Sequence, residues 1–305
     1  MNFDTWIDDA WSSHADDPGR AAQSLAEGAA RVTAETHLVA RIGFAHHVHG
    51  EHLGGWQAGL DGLDRLAASP MCNPVGASGE ALARCRASLL LSAGDPRAAD
   101  ALALSDRIRA TAMAAANLAQ NESAPDTGRA SALWQAALGL AAGVGLPAHD
   151  PAHRTLAATG NNLASALEEK AVRSAAERAL MLATAAGARQ HWALAGTWLE
   201  VERAEYRLAS SWLAAAADEP CAAQAALVHA QACMALVDAH AAPALERFFA
   251  CEVLARAQRL AGNAPAHAAA VRAAREAFAQ LGADDQAWCA ASLRSIDPEP
   301  AAGPV

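Results

Sequence analysis

Apolar residues along this chain recur at three- and four-residue intervals, and its alanine-rich runs are cut by Arg, Glu, Gln and His at the same spacing. Alanine, leucine, glutamate and arginine dominate these runs, and all four are good helix formers. β-Branched residues are sparse, and no run alternates apolar and polar positions as a half-buried strand would. Breakers punctuate the pattern at Ser69-Pro70 to Gly79, Gly94-Asp95-Pro96, Ala124-Pro125-Asp126, Gly143 to Pro151, Asp218-Glu219-Pro220, Ala242-Pro243, Gly262-Asn263 and Gly282 to Asp285. Between them lie segments of about 12 to 25 residues, the length of paired helices. The pattern predicts an all-α protein.

A repeat runs through these segments. Asn117-Leu118-Ala119 recurs as Asn162-Leu163-Ala164, 45 residues later; Leu208-Ala209 follows after another 45, Leu254-Ala255 after 46, and Ile42-Gly43 stands upstream. From each start a small residue leads to a turn residue about seven positions on, then to further small or bulky residues on one face. The series reads Gly43, Gly50, Gly55, Gly59 and Gly62-Leu63; then Ala164, Ala171, Ala176, Leu180 and Ala183; then Ala255, Gly262, His267, Val271 and Ala274. Ala87, Gly94, Ala99 and Ala103 fit less neatly. Small side chains let antiparallel helices cross closely, and a tight turn joins them.

This grammar resembles the tetratricopeptide repeat family over roughly residues 36 to 281. The resemblance implies a right-handed superhelix of antiparallel helix pairs whose first helices line a concave groove. The departures are a period near 45 rather than about 34 residues, and no proline after most second helices. Longer helices are therefore expected, as in degenerate repeats of some bacterial regulators. The alternative is a non-repeat helical bundle with accidental alanine self-similarity. Residues 1–30 are expected to form a capping helix, 31–296 the repeat domain and 297–305 a disordered tail.

Composition narrows the function. Alanine accounts for 87 of 305 residues and aromatics for 5 %, so the eight tryptophans read as fillers of gaps between small side chains. The net charge of −10 and the single lysine, Lys170, argue against a general nucleic-acid binder. No apolar run approaches the roughly 18–20 residues of a membrane span, and the N-terminal stretch is acidic where a secretory signal would be basic. The six cysteines form no C-x-x-C pair and suit a reducing compartment, so a cytoplasmic protein is expected, with neither nucleic acid nor membrane as partner.

The strict catalytic motifs are absent: there is no Walker loop, no G-x-G-x-x-G, no G-x-S-x-G and no H-E-x-x-H. A non-enzymatic role follows as the expectation, with no obligatory cofactor. The resemblance implies that His37, Phe44, His47, Arg84, Asn161, Arg203, Tyr206, Arg256 and Arg259 face the groove. An arginine pair there could grip a carboxylate, which points to a protein or peptide partner that is acidic or ends in a free carboxylate. The leading expectation is thus a scaffold or adaptor. The second is a metal- or ligand-responsive regulator using His46-His47-Val48-His49-Gly50-Glu51-His52. Within it His46, His49 and His52 are the expected ligands for zinc, nickel or copper, with His149 and His153 as distant contributors.

Overall fold

A computed structural model describes residues 2–121 and 123–297. Residues 298–305, most of the expected tail, lie outside the described residues. The chain divides into two compact units, Met1–Thr159 and Gly160–Val305. Among the described residues there are fourteen α-helices and no strand. None of these helices is long and apolar enough to cross a membrane.

The first unit holds α1 (Phe3–Ser13), α2 (Pro18–Glu27), α3 (Glu35–His47), α4 (Trp56–Ala67), α5 (Ala77–Ala93), α6 (Leu104–Gln120) and α7 (Thr127–Val144). It ends within α8 (Pro151–Glu169). The second unit continues through α9 (Ala175–Ala195), α10 (Trp198–Ala214), α11 (Ala222–Ala239), α12 (Ala244–Leu260), α13 (Ala264–Phe278) and α14 (Ala283–Ile296). From α1 to α7 and from α9 to α14 each helix packs on its chain neighbour, and α3 also packs on α5, α10 on α12, and α12 on α14.

Starts and stops follow side-chain chemistry. Asn2, Asp17, Asp126, Ser174 and Asn263 each accept a backbone N–H of the first turn they cap. Ser174 and Glu177 form a reciprocal capping box at α9, and Lys170 Nζ reaches Glu177 Oε1 at 2.5 Å. These contacts hold the Glu177 carboxyl at about 2, with the Lys170 hydrogen bond the largest cause. A carboxyl depressed on folding contributes stability above its ordinary value of 4.5, and that contribution is lost as the pH falls towards 2. Glu177→Gln is therefore expected to cost about 1 kcal/mol at neutral pH, and clearly less at about pH 3, in parallel urea titrations of variant and parent.

Small residues let the helices approach. In the second unit Ala226, Ala230, Cys233 and Val237 of α11 meet Ala250, Val253 and Ala257 of α12, all fully buried. Phe248 closes the neighbouring core with Ala274, Cys289 and Ile296. In the first unit Leu38 and Ile42 of α3, Leu63 of α4 and Leu89 of α5 are likewise fully buried.

The irregular segment is 94–103. Gly94 ends α5 in the left-handed region at φ 105°, Pro96 follows, and the stretch forms only turns before α6. Where the Ala87–Ala103 spacing suggests a second helix of a pair, α5 instead packs directly on α6. The N-terminal segment has two helices, α1 and α2, within the residues expected to form one cap.

Candidate metal centre

Helix α3 does not end conventionally. After His47 the backbone widens into a π-helical turn, Val48–His52, closed by the Leu53 N–H donating to the Val48 carbonyl at 3.0 Å. Residues five apart lie about 140° from one another around an α-helix. The wider turn brings them to one side, and the His47 and His52 rings stand 4.9 Å apart edge to face. Single π-turns of this kind concentrate at functional sites. Gly50 makes this one compact: a Cβ there would collide with the buried Asn117 side chain of α6.

The third ring comes from far away in sequence. Phe3, Trp6, Ile7 and Ala10 pin α1 onto Phe44 and Val48, which sets His14, just past the end of α1, beside the turn. His14 Nε2 lies 2.9 Å from His47 Nε2, and His52 Nε2 lies 3.2 Å from the same atom. The three donor atoms all fall within 4.8 Å of one another.

Proton positions follow from the partners. His14 Nδ1 sits 2.6 Å from the Trp11 carbonyl oxygen, which can only accept, so the neutral ring carries its proton there. His47 Nδ1 sits 3.0 Å from Glu51 Oε1, and the same logic holds. Glu51 Oε2 accepts from Gln120 Nε2 at 2.8 Å. Burial alone would push the Glu51 carboxyl up; the hydrogen bond from His47 is the largest opposing cause, and the net shift is downward. Glu51 is thus an anionic acceptor. With both Nδ1 protons so placed, the two Nε2 atoms stand 2.9 Å apart, a contact that a shared proton or a bound cation would satisfy.

The 3.2 Å between the Nε2 atoms of His47 and His52 is close to the spacing of two ligands on one ion. A tetrahedral ion with metal–nitrogen bonds of about 2.0–2.1 Å sets its nitrogens about 3.3 Å apart. A carboxylate behind a ligating imidazole, as Glu51 stands behind His47, fixes the tautomer and raises the basicity of the ring. Trp11 and Phe44 flank the cluster, each within 5.0 Å of the next ring in the series His47, Trp11, Phe44.

Of the three ligands expected from sequence, the structure gathers only His52 here. His46 is buried and bonds Ser88 Oγ at 2.9 Å in a network with Asn117 and Ser92. Burial lowers its pKa to about 4, so it stays neutral. His49 points the other way, with its Cβ against Gly59 of α4. His14 and His47 take their places. His153 is buried, and neither it nor His149 belongs to the cluster.

The groove residues separate. Phe44 is fully buried beneath α1, and His37 stacks on Phe3 at 4.4 Å. Arg84 pairs with Asp106 at 2.7 Å. In the second unit Asn161, Arg203 and Tyr206 line one cavity of about 440 Å³. Arg203 pairs with Glu246 at 2.8 Å and Arg256 with Glu252 at 3.4 Å, while Arg259 donates to the Ser295 carbonyl at 2.8 Å. Their guanidinium groups are thus engaged within the chain.

No protein-family model, curated protein or solved structure matches this chain.

Proposed function

We propose that this chain is a metal-responsive regulatory protein that binds one divalent transition-metal ion, zinc, nickel or copper, through His14, His47 and His52. The observation that carries the reading is the convergence of three imidazoles whose ligand atoms lie within 4.8 Å of one another, with Nδ1 of His14 and of His47 each set against an acceptor oxygen. The ion would tie α1 to the end of α3, so occupancy would govern how firmly the N-terminal helix is held. We assign no catalytic step, and we assign the protein to the cytoplasm, where six free cysteines persist. The fold in this reading is a degenerate tetratricopeptide-like array, supported by the contacts between alternate helices.

Isothermal titration with zinc tests the site. One ion per chain is expected, with Glu51→Gln weakening it about 10–100-fold because the backing carboxylate is lost. Affinity is expected to fall with falling pH, since protons compete for the imidazole lone pairs. Absence of saturable binding would overturn the proposal.

A second reading, a scaffold that holds a protein or peptide, is favoured by one observation. The 440 Å³ cavity is lined from α8, α10, α12 and α14, the alternate helices that would form an inner groove.

A further inference from the structure

The charge inventory of that cavity is uneven. Arg203 caps Glu246, and its side chain is 61 % exposed. Arg207 is held at 2.6 Å by Glu168, which Ser211 also binds at 2.6 Å. Each arginine therefore has its own carboxylate. Glu202 does not have a cation. It is 2 % exposed, lines the cavity, and receives on Oε1 only the Cys233 thiol at 2.8 Å. Among the described residues no basic group lies within ion-pair distance of it. A buried carboxylate left in this state is costly. Burial pushes the Glu202 carboxyl upward, the Cys233 hydrogen bond opposes that shift, and the neighbouring Glu246 adds to it.

Part of the lining is aromatic. Tyr206, Phe249 and Trp288 form an edge-to-face series with centroids 5.7 and 5.2 Å apart. Trp288 is 65 % exposed, unlike the fully buried Trp134. Aromatic faces beside a carboxylate attract organic cations, most strongly where water is excluded. The side-chain amide of Asn161, at the cavity rim, has no hydrogen-bond partner among the described residues and is free to orient a polar group of the guest. A volume near 440 Å³ lies within the range of small-molecule sites.

We propose that this cavity binds a protonated amine on an apolar or aromatic body, its ammonium against Glu202 and its body against Phe249 and Trp288. The inference rests on the groove reading and reverses the expected ligand charge, because the groove arginines are spent on glutamates. It does not depend on the metal centre.

The test is calorimetric titration of the full chain with 2-phenylethylammonium, 2-phenylethanol and phenylacetate. The ammonium is expected to bind at least tenfold more tightly than the other two. Glu202→Gln keeps an acceptor for Cys233 and is expected to remove that tenfold preference while leaving the alcohol unchanged. Trp288→Ala, at an exposed position, is expected to weaken both the ammonium and the alcohol. A blocked tripeptide with a central lysine separates the two sources of the cation. Tighter binding than the free amine points to a peptide side chain, and weaker binding to a small metabolite. A preference for phenylacetate would overturn the cation proposal and leave the groove reading standing. Failure of all four probes to bind at millimolar concentration would overturn both, as would an ammonium affinity indifferent to Glu202→Gln for the proposal alone.

Discussion

His14→Ala is expected to abolish the zinc-induced rise in melting temperature, whereas His49→Ala is expected to leave it intact. An ion that binds only the folded chain stabilises it by about 2.7 kcal/mol at a free concentration one hundred times Kd. His14 supplies one of three nitrogens, so its loss should weaken binding by about 100-fold or more, beyond the effect of losing a backing group such as Glu51. At that zinc concentration the increment would nearly vanish. His14 is only half-buried, so the chelated variant should melt close to the chelated parent. His49→Ala tests the converse. His49 packs on Gly59, so the chelated variant should melt lower, yet zinc should still add its full increment. The two variants thus separate a ligand from a packing residue. Scanning calorimetry with zinc and with chelator reads both quantities from the same samples.

The second large effect concerns the small-residue series on which the proposed repeat rests. Ala164→Leu is expected to destabilise the protein by about 1–3 kcal/mol, because a fully packed crossing cannot accept three more carbon atoms without strain. Ala164 of α8 is fully buried against Ala185 of α9 and Leu208 of α10, with Trp212 closing the cluster. Ala171→Leu is the control. Ala171 follows α8 in the same repeat series but is exposed, and its substitution should stay within about 0.5 kcal/mol. Urea midpoints of the two variants measure the difference. Equal midpoints would show that the crossing has room and that its small residue is incidental.

Much of this helical layout is legible in the chain because its causes are local. Asp17-Pro18, Asp126 and Ser174-x-x-Glu177 announce helix starts by their own hydrogen bonds. The spacing of small residues is less reliable. Ala164 and Ala255 are fully buried, as a crossing requires, but Gly43 lies exposed with open space where its side chain would be. Alanine-rich helices are similar on every face, so periodicity alone does not say which small residue meets a neighbour.

The histidine cluster was half visible for a related reason. The His46–His52 cluster draws attention by composition, but three-residue spacing on an α-helix selects His46 and His49. The π-turn changes the angular step after His47 and turns His52 towards His47 instead. A helical glycine at position 50, packed on Asn117, was the local sign of that irregularity. His14 carries no local sign, since it reaches the site only because Trp6 and Phe3 seat α1 on Phe44. The arginine partners differ in legibility. Arg203 on α10 pairs with Glu246 on α12, which spacing along either helix does not reveal, whereas Glu252 and Arg256 stand four apart on α12.

X-ray absorption at the zinc edge of the one-to-one complex tests the central claim most directly. The expected spectrum has three imidazole nitrogens at about 2.0–2.1 Å and no sulfur, and loses one imidazole in His14→Ala. A thiolate at about 2.3 Å, or a spectrum unchanged by His14→Ala, would place the ion elsewhere and contradict the account.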